Sequence, residues 1–395
     1  MKTSTRFGIE FNLKPDQIYL DSATVGKLPV SSLNRMIDYY NTGGGAPVRG
    51  IHSEISASNQ LLEKSRKSLA AIFNISPKQI SFFPTREVLL TSVFHSIPEI
   101  KERRIITSIL EEHSVIAPAI RVNNTFGTKI EYLNLEDERD LVESISNRIN
   151  SSSDVVLLSS LTATNGVRRE WEKIANICVD VGATFILDIS YSVGHEDFKF
   201  DSHQPDIVVS SGCIGALGPI GTAFQITNKE IYDSMDPLIV GGGSIIALEE
   251  YSYILNSSGS KFETGIVNVA SIDAMVNSLE ILSNIGLSKI QEHEKKLHNK
   301  LRSELENLPS IEVNKVEGSE YGPIVSFGCE KLEAQDLALV LDDLKNIQIR
   351  SGALCSHLYM YELKYNDIAR ISTHLYNTEE EIKIFLETVE SLVNV

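Results

Sequence analysis

The feature that most constrains the fold is an alternation of short β-rich runs with longer segments of helical periodicity through the middle of the chain. This alternation is typical of a mostly parallel, doubly wound α/β sheet. Ligands of such sheets bind beyond the carboxyl ends of the strands, so functional residues are expected there. The predicted strands are Ile80–Phe83, Arg104–Thr107, Lys129–Leu133, Val155–Ser159, Thr184–Asp188, Ile207–Ser211 and Thr222–Ile226, and the predicted helices include Asn59–Phe73, Asp140–Ile149 and Glu170–Val181.

The remainder of the chain follows a different pattern. Gly241–Gly243 interrupts the chain, and one long helix is predicted from Ser271 to Leu308. Strands and helices are then mixed as in an α+β domain. We therefore predict a large α/β domain over residues 18–289 and a small α+β domain over residues 290–395, to which residues 1–17 are added. The strands predicted in the small domain are Ile324–Gly328, Ile347–Ser351 and Ala369–Thr373, and its helices are Ala334–Leu344 and Glu379–Val393.

The charge balance narrows the possible partners. The 395 residues include 36 lysines and arginines against 53 aspartates and glutamates, a net charge of −17. So acidic a chain repels phosphate backbones and anionic lipids, so neither nucleic acid nor a membrane is expected as a partner. No apolar run approaches the roughly 20 residues needed to cross a bilayer. The four cysteines are far apart without CxxC spacing, which argues against a metal site or disulfide framework and favours a reduced, cytoplasmic protein.

Five short segments, in order between about Ile18 and Leu392, share a further pattern. They are Tyr19–Thr24, Val48–His52, Phe262–Gly265, Arg350–Cys355 and Arg370–Glu381. They resemble YLDNAAT, HRGVH, RFEAGT, RTGHHC and RASLxxYNTxEE, the motifs of the cysteine desulfurases in the class V aminotransferase family. The resemblance implies the type I fold of pyridoxal-phosphate enzymes, a homodimer, and an active site at the dimer interface. Pyridoxal phosphate is implied as cofactor by this resemblance alone.

A pyridoxal enzyme needs an amine that forms a Schiff base with the cofactor. In the family this amine is the lysine of an SGHK segment, and the matching residues here are Ser211–Ile214. Ile214 stands in the place of the lysine, and no lysine occurs between Lys199 and Lys229. Because a hydrocarbon side chain cannot form a Schiff base, another lysine, such as Lys27, would have to reach the site.

Two further cofactor contacts of the family are altered. The glycine-containing turn that binds the phosphate is replaced by Pro84–Leu89, where Thr85 and Glu87 are typical of an ordinary helix start. Arg86 is left as a group that could meet an anion. Glu112 stands where the family has the imidazole that stacks on the cofactor ring. Asparagine and glutamine contacts of the family fall near Ala163 and Tyr191.

Four other residues match family positions, each with an ordinary alternative. Asp188 matches the carboxylate that holds the pyridine nitrogen protonated, or it is a helix N-cap. Arg370 matches the arginine that binds the substrate carboxylate and Arg350 the one that opens the cysteine loop, or each pairs with a carboxylate of the protein. Cys355 matches the cysteine that accepts sulfur, or it is a small buried hydrophobe.

Three functions remain open from the sequence. The leading one is a degenerate, non-catalytic desulfurase homologue that acts as a binding or regulatory subunit, as a homodimer or paired with an active paralogue. The second is an active enzyme that holds pyridoxal phosphate without a covalent bond, through Asp188 and Arg370. The third is a carrier of persulfide sulfur on Cys355 that works without the cofactor. Fold alone does not choose among them.

Overall fold

The computed structural model describes residues 4–14, 16–200, 205–257 and 259–393. Its strands are β1 (Ser4–Arg6), β2 (Ile9–Phe11), β3 (Ile18–Tyr19), β4 (Ile80–Phe83), β5 (Arg104–Ser108), β6 (Lys129–Leu133), β7 (Asp154–Ser159), β8 (Val167–Arg168), β9 (Thr184–Asp188), β10 (Ile207–Ser211), β11 (Ala223–Thr227), β12 (Ile245–Leu248), β13 (Tyr253–Leu255), β14 (Ile311–Val313), β15 (Glu320–Tyr321), β16 (Ile324–Cys329), β17 (Ile347–Gln348), β18 (Arg350–Gly352) and β19 (Ile368–Ser372). Its α-helices are α1 (Val30–Asn41), α2 (Ser53–Phe73), α3 (Arg86–Ser96), α4 (His113–Phe126), α5 (Leu135–Arg139), α6 (Leu141–Arg148), α7 (Trp171–Val181), α8 (Lys229–Ser234), α9 (Val269–Ile285), α10 (Leu287–Glu306), α11 (Ala334–Lys345), α12 (His357–Leu363) and α13 (Glu379–Val393).

The large sheet has seven strands in the order β4-β11-β10-β9-β7-β5-β6. Strands β10, β9, β7, β5 and β6 pair in parallel, whereas β11 runs antiparallel to both of its neighbours. The inner strands are buried along their whole length because helices cover both faces, as their β-branched runs predict. The predicted doubly wound sheet is confirmed. It places Asp188 and Ser211 at the carboxyl ends of adjacent strands.

A four-stranded antiparallel sheet, β14-β16-β19-β18, forms the second core together with α10, α11 and α13. In this sheet Arg350 on β18 lies directly opposite Arg370 on β19. The N-terminal segment joins both cores, since Phe11 packs under the large sheet while Leu20 packs in the small one. The boundary near residue 290 stays a prediction.

The single helix predicted from Ser271 to Leu308 is wrong. The chain forms two helices, α9 and α10, which meet at Gly286. Gly286 has a φ of 96°, a left-handed conformation that glycine adopts without strain and that ends an α-helix. The break lets α9 pack against the large core and α10 against the small one. None of the helices in the described ranges combines the length and apolar character needed to span a bilayer.

Candidate functional site

Residues from both cores surround a cavity of about 310 Å3 at the carboxyl ends of β9 and β10. Most of the residues predicted for the site line it, which shows that the fold brings them together. These lining residues are Thr85, Arg86, Glu112, Ser211, Ile214, Arg350, Cys355 and Arg370. Asp188 is buried and does not line the cavity, but it contacts the lining residue Arg86.

The floor of the cavity is an ion cluster centred on Arg86. Its Nη1 donates a hydrogen bond of 2.9 Å to Asp188 Oδ2, and its Nη2 donates to Glu112 Oε1. Arg86 is only 4% exposed. Tyr191 completes the cluster, because its hydroxyl donates to Glu112 at 2.5 Å and its ring centroid lies 5.3 Å from the guanidinium carbon. Arg86 does meet anions, but they are the protein's own carboxylates.

The charges of this cluster depend on one another. Burial works against a charged Arg86, but the Glu112 and Asp188 carboxylates outweigh it and raise the pKa of the guanidinium well above its ordinary value. Burial likewise raises the pKa of Asp188, and Arg86 and the Ser190 N–H oppose that rise. The arginine is therefore the counter-charge that allows two acidic side chains to be buried side by side.

Asp188 is not a helix N-cap, so that alternative is wrong. It ends β9, and its Oδ1 accepts a 2.8 Å hydrogen bond from the N–H of Ser190 in the following turn. Its second oxygen, Oδ2, is the one that accepts from Arg86. Both carboxylate oxygens are thus engaged within the protein.

Thr85 is the N-cap of α3 and accepts a hydrogen bond from Val88 N at 3.3 Å, as an ordinary helix start predicts. Glu87 in the first turn accepts a 2.6 Å hydrogen bond from Ser114. Burial alone would raise the pKa of Glu87, but this hydrogen bond, with the neighbouring charge of Arg86, brings the pKa below its ordinary value. An ionised carboxylate therefore stands at the turn that binds phosphate in the family.

Ile214 is 7% exposed and packs in an apolar cluster with Ala23, Ala163 and Tyr191. A hydrocarbon side chain is therefore buried in apolar contacts at the position where the family has an amine. Lys27 does not line the cavity, because its Nζ lies 3.6 Å from the centroid of the Tyr19 ring. The described residues that line the cavity include no lysine.

The two arginines of the small sheet differ in their partners. Arg370 is buried and donates to Ala163 O at 2.9 Å, to Thr24 Oγ1 at 2.9 Å and to Asp21 Oδ1 at 3.4 Å. Arg370 therefore pairs with a carboxylate of the protein, which is the ordinary alternative given for it above. Arg350 is half-buried and has no carboxylate oxygen within 4 Å among the described residues. It is the arginine left to meet an anion in the cavity.

Cys355 is exposed at the rim of the cavity, so the alternative of a buried hydrophobe is wrong. Both Leu354 and Cys355 have left-handed backbone conformations, with φ of 50° and 59°. The carbonyl of Cys355 accepts a 2.8 Å hydrogen bond from the N–H of His113, which ties this loop to the start of α4. Cys355 is therefore open to solvent in the single chain.

Sequence reasoning did not identify the part of Tyr191 in this site. The family comparison marked position 191 only as a lost amide contact, whereas the structure shows a hydroxyl donor to Glu112. A tyrosine three residues after a buried strand end, with a glutamate after another strand of the same sheet, was the available signal. Nothing in the local sequence shows that these two side chains meet, because they are 79 residues apart.

These residues do not fit pyridoxal phosphate. The carboxylate that would hold the pyridine nitrogen is occupied by Arg86, and the amine is replaced by the packed side chain of Ile214. Binding of the ring nitrogen at Asp188 would require the buried guanidinium to give up its 2.9 Å hydrogen bond to that carboxylate.

Comparison with known proteins agrees with this geometry at the level of the fold. The sequence matches the aminotransferase class-V family over residues 18–385. It is 30% identical to a probable cysteine desulfurase of Pyrococcus abyssi, over 96% of this chain and 95% of that protein. A probable cysteine desulfurase of Methanothermobacter thermautotrophicus is 27% identical over 95% of both chains.

Among solved structures, the apo form of a cysteine desulfurase from Thermococcus onnurineus is similar, with a TM-score of 0.88 and 27% identity. The similarity covers 96% of this chain and 95% of that one. The cysteine desulfurase CsdA of Escherichia coli has the same fold, with a TM-score of 0.87 at 20% identity. The type I fold of pyridoxal-phosphate enzymes is thereby established, and because the family match extends through both cores, this chain belongs to the aminotransferase class-V family.

Proposed function

We propose that this chain is a non-catalytic homologue of the cysteine desulfurases that acts as a binding or regulatory subunit. The observation that carries the proposal is the guanidinium of Arg86, which pairs with Asp188 and Glu112 where the family holds the cofactor ring. The replacement of the Schiff-base lysine by Ile214 supports it independently. Loss of the lysine removes covalent attachment, and the arginine removes the remaining anchor of the ring.

The direct test is retention of the cofactor. The purified protein is incubated with pyridoxal phosphate, and its visible spectrum is recorded before and after borohydride reduction and dialysis. We expect a spectrum that matches free cofactor, no retained absorbance, and no cofactor-dependent release of sulfide from cysteine. A band that borohydride fixes to one peptide would identify a substitute lysine and overturn the proposal.

Two variants separate the contributions of Ile214 and Arg86. Ile214→Lys restores an amine but leaves the guanidinium on Asp188, so we expect no retained cofactor. Ile214→Lys combined with Arg86→Thr frees Asp188 as well and is expected to retain it. Equal retention by the single and double variants would show that Arg86 does not block the site.

The alternative of an active enzyme with non-covalently bound cofactor has little structural support. It relies on Asp188 and Arg370, and both side chains already have partners within the protein. Cofactor-dependent sulfide release by the wild-type protein that is lost in Asp188→Ala would favour this alternative.

A second candidate function is favoured by one observation, the exposed thiol of Cys355 beside Arg350 at the cavity rim. In this function the Cys355 thiolate attacks the outer sulfur of a donor protein's persulfide. A new S–S bond forms on Cys355, and the donor cysteine leaves as a thiolate, so no oxidant is needed. After exposure to a persulfide donor, mass spectrometry should show one added sulfur that is lost in Cys355→Ala and kept in Cys329→Ala. Sulfur retained in Cys355→Ala would refute it.

We further propose a homodimer formed through the surface around the β12–β13 hairpin. Leu248 is 74% and Tyr251 93% exposed there. A second, apolar cavity shares Pro84 and Gly221 with the candidate site. The chain that lines this cavity is tied to the base of the hairpin, because the N–H of Gly265 donates to the carbonyl oxygen of Gly242. Exposed apolar surface of this kind marks an association site, and a second copy of the chain would border the candidate cavity.

Light scattering should give the mass of two chains for the wild-type protein. Leu248→Glu should shift it to one chain, whereas Val179→Glu, an exposed residue on α7, should not. A wild-type mass of one chain would refute the homodimer, and doubling only after coexpression with an active paralogue would assign a mixed dimer.

A cytoplasmic location is also proposed, because Cys178, Cys213, Cys329 and Cys355 are all free thiols in the described structure. Free cysteines persist in reducing compartments. Cell fractionation with antibodies against the chain would test the location, and recovery outside the cytoplasm would contradict it.

A further inference from the structure

Two arginines stand opposite each other in the small sheet, at the wall of the candidate cavity. Arg350 on β18 is the direct partner of Arg370 on β19 in the antiparallel register. Directly opposite residues of such a pair project from the same face of the sheet, with Cβ atoms about 4.5–5.5 Å apart. In agreement with this placement, both side chains line the cavity of about 310 Å3. The register therefore holds two cationic side chains next to each other.

These two cations share one internal counter-charge. Oδ1 of Asp21 lies 3.4 Å from Nη2 of Arg370, and in the ranges that the structure describes no other carboxylate lies within 4 Å of either guanidinium. The Nε of Arg370 is buried and has no hydrogen-bond acceptor among the described residues. Like charges directly opposite one another destabilise a sheet, and an anion beside them relieves the repulsion. The pair is thus short of one negative charge, which an anionic ligand would supply.

The acidic residues that line the cavity do not serve this arginine pair. Glu112 is engaged by the guanidinium of Arg86. Glu87 accepts a 2.6 Å hydrogen bond from Ser114. Both carboxylates also repel an anion from their own part of the cavity, so an anion is expected at the arginine pair.

The same cavity carries a nucleophile. Cys355 is exposed at its rim, in the loop that follows Arg350. Gly352, Leu354 and Cys355 all have left-handed φ values, of 105°, 50° and 59°, which turn this loop tightly. A thiolate attacks a sulfur atom that is bonded to a good leaving group. A thiol beside an anion-binding pair therefore suits a small molecule that carries both reactive sulfur and negative charge.

We propose that Cys355 is loaded with sulfur from a small oxoanion of the thiosulfate type, bound at Arg350 and Arg370. This inference rests on the second candidate function above and names its sulfur donor. The guanidinium groups bind the sulfonate oxygens through charge-assisted hydrogen bonds. The Cys355 thiol gives its proton to water, and the thiolate attacks the outer sulfur of thiosulfate. The S–S bond of thiosulfate breaks and sulfite leaves with the electron pair. Cys355 keeps a persulfide, so no oxidant or reductant is consumed.

The first experiment follows loading of the reduced full-length protein with sodium thiosulfate, by intact-mass spectrometry and by sulfite release. We expect one added sulfur per chain, one sulfite for each added sulfur, and peptide mapping to Cys355. Arg350→Gln should slow loading at low thiosulfate by about tenfold to a hundredfold, because a charge-assisted hydrogen bond is lost. Arg350→Lys should restore part of the rate. Arg121→Gln, an exposed arginine on α4 outside the cavity, is the control and should load at the wild-type rate.

Alkylation by iodoacetamide separates the anion site from the reactivity of the thiol. This reagent is neutral, so Arg350→Gln should slow its reaction with Cys355 far less than it slows loading by thiosulfate. Equal slowing of both reactions would show that Arg350 acts on the thiol and not on the anion, and would overturn the proposal.

Sulfate tests the anion site without any variant. It has the same tetrahedral oxyanion but no transferable sulfur, so it should raise the thiosulfate concentration needed for half of the maximal rate. Chloride at equal ionic strength should have a smaller effect. Equal inhibition by chloride, or sulfur mapped to Cys213, would overturn the proposal. Loading by a persulfidated donor protein but not by thiosulfate would overturn it and leave the second candidate function, whereas loading by neither would refute both.

Discussion

The Arg86 cluster can be tested most sharply by replacing the arginine with methionine. Arg86→Met keeps much of the side-chain volume but leaves Asp188 and Glu112 buried without their cation. Removing one partner of a buried ion pair typically destabilises a protein by about 3–5 kcal/mol, because the remaining charge is left uncompensated. The folding equilibrium should therefore shift by about a hundredfold to several thousandfold.

The loss should also depend on pH. Burial raises the pKa of Asp188 even with Arg86 beside it, and removal of the arginine raises it further. In the unfolded chain an aspartate titrates near pH 4, so the native variant binds more protons than the unfolded one above that pH. Protonated Asp188 contributes fully to the free energy of unfolding of the variant below about pH 4. This contribution is lost as the pH rises through the raised pKa of Asp188 in the folded variant. The variant should thus be most destabilised, relative to wild type, at neutral pH.

Urea unfolding can be followed by fluorescence, because Trp171 is the single tryptophan and is buried under the large sheet. Arg35→Met is the control, since Arg35 is 35% exposed and pairs with Asp273 at 3.1 Å. Because Arg35 reaches solvent, water screens this pair, and loss of Arg35 should cost less than loss of Arg86. Adding Asp188→Asn and Glu112→Gln to Arg86→Met should restore part of the stability. The reasoning is refuted if Arg86→Met costs no more than Arg35→Met, or if its cost is the same at pH 5 and pH 8.

Three further outcomes are expected. In Arg169→Met, Glu111 and Glu138 lose a fully buried partner, so the free energy of unfolding in urea should fall by about 3–5 kcal/mol. Arg139→Met, which breaks an exposed pair, should lower it by under about 1 kcal/mol. In Gly215→Ala, the new Cβ would lie 2.1 Å from Val193 O, so a loss of at least 1–3 kcal/mol is expected, and a Tm equal to that of Gly50→Ala would contradict it. A thiol reagent should label Cys355 in the native protein but Cys178 only after unfolding, because burial raises the pKa of Cys178 to about 12; labelling of Cys178 first would be contrary to the structure.

Much of the fold could be read from local sequence. Strands β4, β6, β9 and β10 begin and end at the predicted residues, because each is a short run rich in β-forming residues. The break at Gly286 was missed, since an isolated glycine is compatible with a helical pattern and only its left-handed conformation shows that the helix ends.

The site was only partly accessible from sequence. The residues that belong to the site could be predicted, because strand order and family motifs place them at one edge of the sheet. The contacts between these residues could not be predicted. The hydrogen bond from Arg86 to Asp188, for example, joins residues 102 positions apart and depends on the direction of a long side chain. The same holds for the contact of His195 with Glu294, which joins residues 99 positions apart.

The altered residues of the cavity compensate for one another. Without a bound pyridinium, Asp188 would be a buried carboxylate without a cation, and Arg86 supplies one. A single arginine then also balances Glu112, which stands where the family has an imidazole, and Tyr191 donates the remaining hydrogen bond. Ile214 packs against Ala23, Ala163 and Tyr191 at the position where the family has a lysine. Unconstrained loss of a cofactor site would leave its buried charges unpaired, whereas Asp188 and Glu112 are both paired with Arg86. Such mutual adjustment supports the proposal that the chain is retained for binding.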